Sequence, residues 1–265
     1  MGLRRVFACE VQGKEQAVVR KNSLWEALGL SLREHMVIAF TGGGGKTSAM
    51  FSLADELSDQ GKRVIVTTST HIFRPKDRLV VPADHAEAVK RFLAGHKDWS
   101  SPGTGRILVT GRPGPEGKLK AMDLSEMEKL SEMGDVLLVE ADGAKRLPLK
   151  IPGEGEPVLL KGTHAVIGCA GLDCIGRPWE EKCFRWELVH ETFGWHTEQE
   201  PITPGKVARI LISGRGTRKG AESMEYRILL NKADDEERLS HAAEITEVLG
   251  REWARRCVIT SFFIS

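Results

Sequence analysis

Four glycines followed by lysine, threonine and serine, Gly42-Gly43-Gly44-Gly45-Lys46-Thr47-Ser48, stand directly after an apolar run and before an amphipathic stretch. Glycines allow a sharp turn in which successive N–H groups point inward, and a helix start adds the positive end of its dipole. Together these suit a phosphate. Lys46 is placed to reach the outer phosphates of a nucleotide, and the Thr47 hydroxyl to bind Mg²⁺. The long form of such a loop, G-x-x-x-x-G-K-[ST], needs a glycine where this chain has Phe40. The match is the shorter G-x-x-G-K-T from Gly42. Close packing alone would not require Lys-Thr after the glycines, so the residue types point to nucleoside-triphosphate binding.

Two more motifs end apolar runs. In DVLLVEADG, Glu140 and Asp142 are two apart, so on extended chain both face the same way. A carboxylate there holds Mg²⁺ or orients the attacking water beside a phosphate loop; without that loop, the pair would read as a solvated turn. The second motif is Asn231-Lys232-Ala233-Asp234, after YRILL. N-K-x-D at a strand end suits guanine: the Asp accepts from the base edge, the Lys stem covers the purine, and Asn ties the loop to the phosphate side. The competing reading is a cap for the helix that follows. Ser261, in the last apolar run, falls where a second base-contacting loop would lie.

Other polar residues are less specific. His71 follows VTTST, and with Thr68 and Thr70 from that run it is a candidate for γ-phosphate or substrate contact, with a plain strand-end histidine equally in view. Cys169, Cys174 and Cys183 have spacings that fit no common zinc pattern and read as plain thiols. Lys145, Arg146 and Lys150 form a basic loop, solvated by default.

The elements that must position these groups alternate. Strands are expected at 36–42, 63–70, 106–111, 135–143, 164–171, 226–234 and 257–263, as continuous apolar runs of the kind covered on both faces. Helices are expected at Thr47–Gln60, Asp84–Ala94, Leu124–Met133, Pro204–Ser213 and Asp235–Trp253. Strand–helix alternation implies an α/β fold, a mostly parallel sheet with helices on both faces. Residues 1–35 read as an N-terminal extension, with Val6–Val11 a possible edge strand and Ser23–Leu30 a short helix; residues 36–265 form the main domain. Ser100–Gly105 and Leu147–Thr163 are rich in Gly and Pro and read as surface excursions.

Composition narrows the class. The chain has 265 residues, 41% hydrophobic and 28% charged, with 38 Lys+Arg against 37 Asp+Glu. That balance gives no bulk charge to draw it to nucleic acid or an anionic membrane. No apolar run approaches the roughly 18 residues of a membrane helix. Five scattered cysteines suit a reducing compartment, so a cytoplasmic protein is expected.

The short loop resembles that of Mur ligases and folylpolyglutamate synthetases, and E-x-x-G resembles a motif of metallochaperone GTPases. Taken in order, TGGGGKTS, VTTSTHIF, VEADGAKRLPLK, GLD, VH, ITP and NKAD resemble the YqeC-type proteins across about residues 22–263. Two positions depart from that pattern: Ser69 stands in a run that is usually threonine, and Lys145 and Arg146 replace smaller residues. The resemblance implies a cytoplasmic, P-loop NTPase-like protein that assists maturation of a selenium-dependent molybdenum hydroxylase. It would use Mg²⁺ with GTP or ATP, GTP favoured. Its partners would be the nucleoside triphosphate and a molybdenum hydroxylase or other maturation proteins, with no nucleic acid and no membrane. Carried over by position, the phosphate loop is Gly42–Ser48, the sensing loop Thr68–His71 and the acidic motif Glu140–Gly143. The residues themselves give a site of Gly42–Ser48 with His71, Glu140, Asp142, Asn231, Lys232 and Asp234, in which Lys46, Glu140 and Asp142 are the catalytic candidates and Thr47, Glu140 and Asp142 the metal ligands. Two other readings stay open: an ATP-dependent Mur-like ligase or small-molecule kinase, and a nucleotide-binding interaction module without turnover.

Overall fold

The apolar runs become the strands of one sheet. The computed structural model describes residues 3–12, 15–34, 36–96, 99, 105–198 and 200–262. Most of the Ser100–Gly105 stretch and Phe263 therefore lie outside the described residues. In chain order the strands are β1 (Leu3–Gln12), β2 (Glu15–Arg20), β3 (Met36–Gly42), β4 (Arg63–Thr68), β5 (His71–Phe73), β6 (Leu79–Pro82) and β7 (Arg106–Pro113). They continue with β8 (Lys118–Lys120), β9 (Val136–Glu140), β10 (Leu149–Lys150), β11 (Ala165–Gly171), β12 (Cys183–Phe184), β13 (Glu225–Asn231) and β14 (Cys257–Phe262). The α-helices are α1 (Leu24–Leu28), α2 (Lys46–Asp59), α3 (Ala86–Ala94), α4 (Leu124–Leu130), α5 (Trp179–Lys182), α6 (Val189–Phe193), α7 (Pro204–Ile212) and α8 (Glu236–Ala254).

The large sheet runs β2-β1-β14-β13-β11-β3-β9-β4-β7-β8-β5, with β6 also paired to β7. From β14 to β7 every neighbouring pair is parallel. The hairpin β1–β2 continues this sheet antiparallel from β14, so β2, not the segment at Val6–Val11, forms the edge.

Both faces of the central strands are covered, which explains their unbroken hydrophobicity. Along β3, Met36, Ile38 and Phe40 pack with α1 and α2 residues such as Leu24, Leu53 and Leu57. Val37 turns the other way, toward Val89 and Leu93 of α3 and Met127 and Leu130 of α4. Ala39 shares that second face with Val207 and Ile210 of α7 and Ile245 of α8. Because the strands are parallel, the segments leaving β3, β4, β9, β11 and β13 all emerge at one sheet edge, where β14 also ends. That is where ligands bind in open α/β folds.

Candidate functional site

The glycine loop is shaped by contact. Gly42 and Gly44 have φ of 86° and 73°, a region that L side chains rarely adopt. A Cβ on Gly42 would sit 2.3 Å from the Cys169 carbonyl oxygen, and one on Gly44 2.0 Å from the Gly171 nitrogen. The loop is thus pressed onto β11, with backbone meeting backbone. The Gly43 N–H donates to Cys169 O at 3.0 Å and the Gly44 N–H to Leu147 O at 3.0 Å. Two amides expected to face a phosphate therefore brace the loop instead. An anion at this end meets the first turn of α2, whose N–H groups lack intrahelical acceptors.

Charge is concentrated beneath the loop. Lys46 is 4% exposed; its Nζ donates to Gly42 O and lies 3.1 Å from Asp142 Oδ1. Burial alone would lower its pKa, but Asp142 and Glu140 outweigh that and hold the ammonium above its ordinary value. Asp142 Oδ2 accepts from the Gly42 N–H at 3.1 Å and lies 3.2 Å from Lys150 Nζ. Glu140 Oε2 accepts from Thr47 Oγ1 at 2.6 Å. Burial pushes the Glu140 carboxyl up, with Lys46 and the Thr47 hydrogen bond opposing. The donor set fits Mg²⁺: a hydroxyl and two carboxylates, all hard oxygens, with Asp142 Oδ1 buried and facing only the Lys46 ammonium. Among the described residues no cluster of three or more His, Cys, Asp or Glu is arranged to hold a metal. Mg²⁺ needs none, because it keeps waters and takes phosphate oxygens alongside one or two carboxylates.

The N-K-x-D segment reaches the same loop. Asn231 Nδ2 donates to Gly44 O at 2.8 Å, while its Oδ1 accepts from Thr260 Oγ1 at 3.1 Å. Lys232, at φ 64°, pairs with Asp173 at 2.8 Å. Asp234 accepts from Ser261 Oγ at 2.6 Å and from Arg238 at 2.8 Å. The cap of α8 is the next residue, Asp235, whose Oδ1 accepts the Arg238 N–H at 2.9 Å. The carboxylate of Asp234 is accordingly free of capping duty. Ser48 lies in the first turn of α2.

His71 stands apart from the phosphate loop. It is exposed, opens β5, and lines an adjoining cavity with Ser69 and Thr70. Thr68 and Ser69 instead hydrogen-bond the Glu140 carbonyl, fixing the end of β9.

Two expectations are corrected. Lys150 is not part of a solvated loop: it is 1% exposed and pairs with both Asp142 and Glu156. Pairing of β10 with β12 draws it inward, and a buried ammonium requires such partners. The stretch from 147 to 163 is likewise no plain surface excursion, because Leu149, Ile151 and Leu160 are buried. Its Pro148 carbonyl accepts from Gly171 N–H at 2.8 Å, so it packs over the glycine loop. Lys150 and Glu156 are site residues that sequence reasoning missed, although the L-P-L-K run carried the first of them. All five cysteines are free and buried. Cys174 is pushed up to about 12 by burial, an unreactive thiol.

A mostly parallel sheet whose glycine-rich strand–helix turn faces a strand-terminal carboxylate pair defines an α/β protein of P-loop NTPase-like fold. A family profile described as "YqeC protein" matches residues 38–187, and the chain belongs to that family. It is 32% identical to the "Uncharacterized protein YqeC" of Escherichia coli (strain K12) over 182 residues, 68% of each chain. No solved structure matches. Among the described residues no helix is long and apolar enough to cross a membrane.

Proposed function

We propose that this protein binds a Mg²⁺–nucleoside triphosphate at Gly42–Ser48, GTP in preference to ATP, and hydrolyses it. We place this turnover in the cytoplasm, in maturation of a selenium-dependent molybdenum hydroxylase, the role implied by the family resemblance. The observation that carries the nucleotide reading is the 2.6 Å contact between Thr47 Oγ1 and Glu140 Oε2. A loop hydroxyl and a strand-end carboxylate, from segments 93 residues apart, meet where the metal of a phosphate-loop site belongs.

Lys46 supplies a fixed cation for the outer phosphates. Thr47, Glu140 and Asp142 would hold Mg²⁺, which when bound would supply neutralisation of charge on the phosphoryl oxygens, and the carboxylates would orient the attacking water. Support for guanine comes from Asp234, which offers a carboxylate beside Ser261 while Asn231 fastens its loop to Gly44. The test is phosphate release from GTP. It should require Mg²⁺ and fall by about 10² in Glu140→Gln. Release unaffected by chelation or by the substitution would overturn the reading.

A further inference from the structure

Beside the glycine loop, separated from it by the Asp142–Gly143 turn, lies a cavity of about 560 Å³. Its walls come from five segments distant in sequence, one of them contributing Glu156. Thr70 and His71 follow β4, Lys120 ends β8, Lys145 follows β9, and Phe184 and Arg185 come from β12 and the residue after it. The lining holds three cationic side chains against one carboxylate, Glu156.

That carboxylate is already engaged: it takes Arg185 at 2.5 Å and Lys150 from behind. The two cations together hold Glu156 at a pKa of about 2, even though burial works against them, so it stays anionic. Among the described residues Lys120 and Lys145 have no carboxylate partner. Lys145 instead stands 5.0 Å from the Phe184 ring centroid, with Arg185 at 4.6 Å from the same ring. An aromatic face fixes where these charges sit without neutralising them.

The backbone adds an independent observation. Lys145, Arg146 and Arg185 have φ of 48°, 64° and 60°, three of the five non-glycine residues with positive φ among those described. Such conformations are costly for L residues and gather where a side chain must be aimed. Here two separate segments carry the strain, and both aim cations at one concavity.

We infer that this cavity is a second ligand site, which takes a small organic molecule bearing two or more oxyanion groups, carboxylate or phosphate. The volume is in the usual range of small-molecule pockets and exceeds what a bare inorganic ion needs. Lys120, Lys145 and Arg185 meet the oxyanions, Thr70 and His71 supply further polar contacts, and the Phe184 edge faces the carbon skeleton. The run Arg185–Glu156–Lys150–Asp142–Lys46 alternates in sign from this cavity to the glycine loop. Its neighbourhood to a nucleotide's outer phosphates rests on the proposed function; the cavity and its charge do not.

Calorimetric titration of the full chain with citrate, 3-phosphoglycerate and inorganic phosphate, without nucleotide, tests the site. Citrate or 3-phosphoglycerate should bind, and Lys145→Gln with Arg185→Gln should weaken that binding at least tenfold. Arg185→Lys should recover most of it, and the exposed Lys145→Gln alone should weaken it measurably, which covers a double variant that fails to fold. Lys46→Ala should leave the organic anion bound, so failure of the nucleotide reading leaves this result standing. Three results would overturn the inference: no binding of either organic anion, equal binding by wild type and the cavity variants, or binding of inorganic phosphate alone. Displacement of citrate by Mg²⁺–GTP, with both lost in Lys46→Ala, would likewise merge the cavity into the nucleotide site and overturn it.

Discussion

At the ends of β3 and β9 the candidate site is ionic and buried: Lys46 and Asp142 are 4% and 2% exposed, and Lys150 beside them 1%. At the ends of β13 and β14 it is hydrogen-bonded and half-open, with Arg238 and Asp234 31% and 33% exposed. Buried charges must be matched nearly one for one, so the phosphate side is held rigidly by its own ions. The base side contains groups whose partners, Ser261 and Arg238, can be exchanged for a ligand's donors at little cost. One half is therefore coupled to folding, and the other is the half that the proposed function assigns to recognition.

Lys46→Ala is the strongest way to break the comparison. It should weaken Mg²⁺–nucleotide binding by at least about 10² and also destabilise the fold by roughly 3–5 kcal/mol, because Asp142 loses one of two buried partners. Calorimetry and urea unfolding read the two effects separately. A variant as stable as wild type would mean that the buried ion pair is not structural. Asp142→Asn comes next. Turnover should drop by about 10² while nucleotide affinity stays within roughly tenfold, the split expected of a group that acts in the transition state. An unchanged rate would return Asp142 to a purely structural role.

On the base side the effects are smaller. Asp234→Asn should remove most of a GTP-over-ATP preference of about 2 kcal/mol and raise affinity for xanthosine nucleotides. Stability should barely change, since the cap of α8 belongs to Asp235. If Asp234→Asn instead melts α8, the residue is structural and the division between halves fails. The smallest effect concerns Glu156. Its pKa is depressed from 4.5 to about 2, so its ion pairs stabilise the fold fully above pH 4.5 and are lost as pH falls toward 2. Acid unfolding of Glu156→Gln should be flatter across that window; an identical profile would contradict the pairing with Arg185 and Lys150.

The parallel strands of the central sheet, the helices α2, α3, α4, α7 and α8 and the glycine loop were legible because each is written in consecutive residues: a continuous apolar run, an amphipathic period, a Gly-Lys-Thr turn. The left-handed Gly61 after α2 follows the same local logic, with φ of 80°. The contact of Asn231 with Gly44, across 187 positions, was legible only because a motif supplied the pairing. Lys150, Glu156 and Arg185 were not, since their meeting depends on the two-residue strands β10 and β12, whose local signal is negligible. The bracing of Gly43 and Gly44 against Cys169 and Leu147 was hidden because it joins segments far apart in sequence. Composition does not reveal which of two adjacent aspartates, Asp234 or Asp235, caps α8.

Titration of the wild-type chain with GTP and with ATP, each at saturating Mg²⁺, tests the nucleotide site most directly. GTP should bind at least about thirtyfold more tightly than ATP, a difference of roughly 2 kcal/mol, and chelation should abolish the heat of both. Absence of binding for either nucleotide would contradict the account at the phosphate loop; equal affinities, or tighter ATP, would contradict it at Asn231–Asp234.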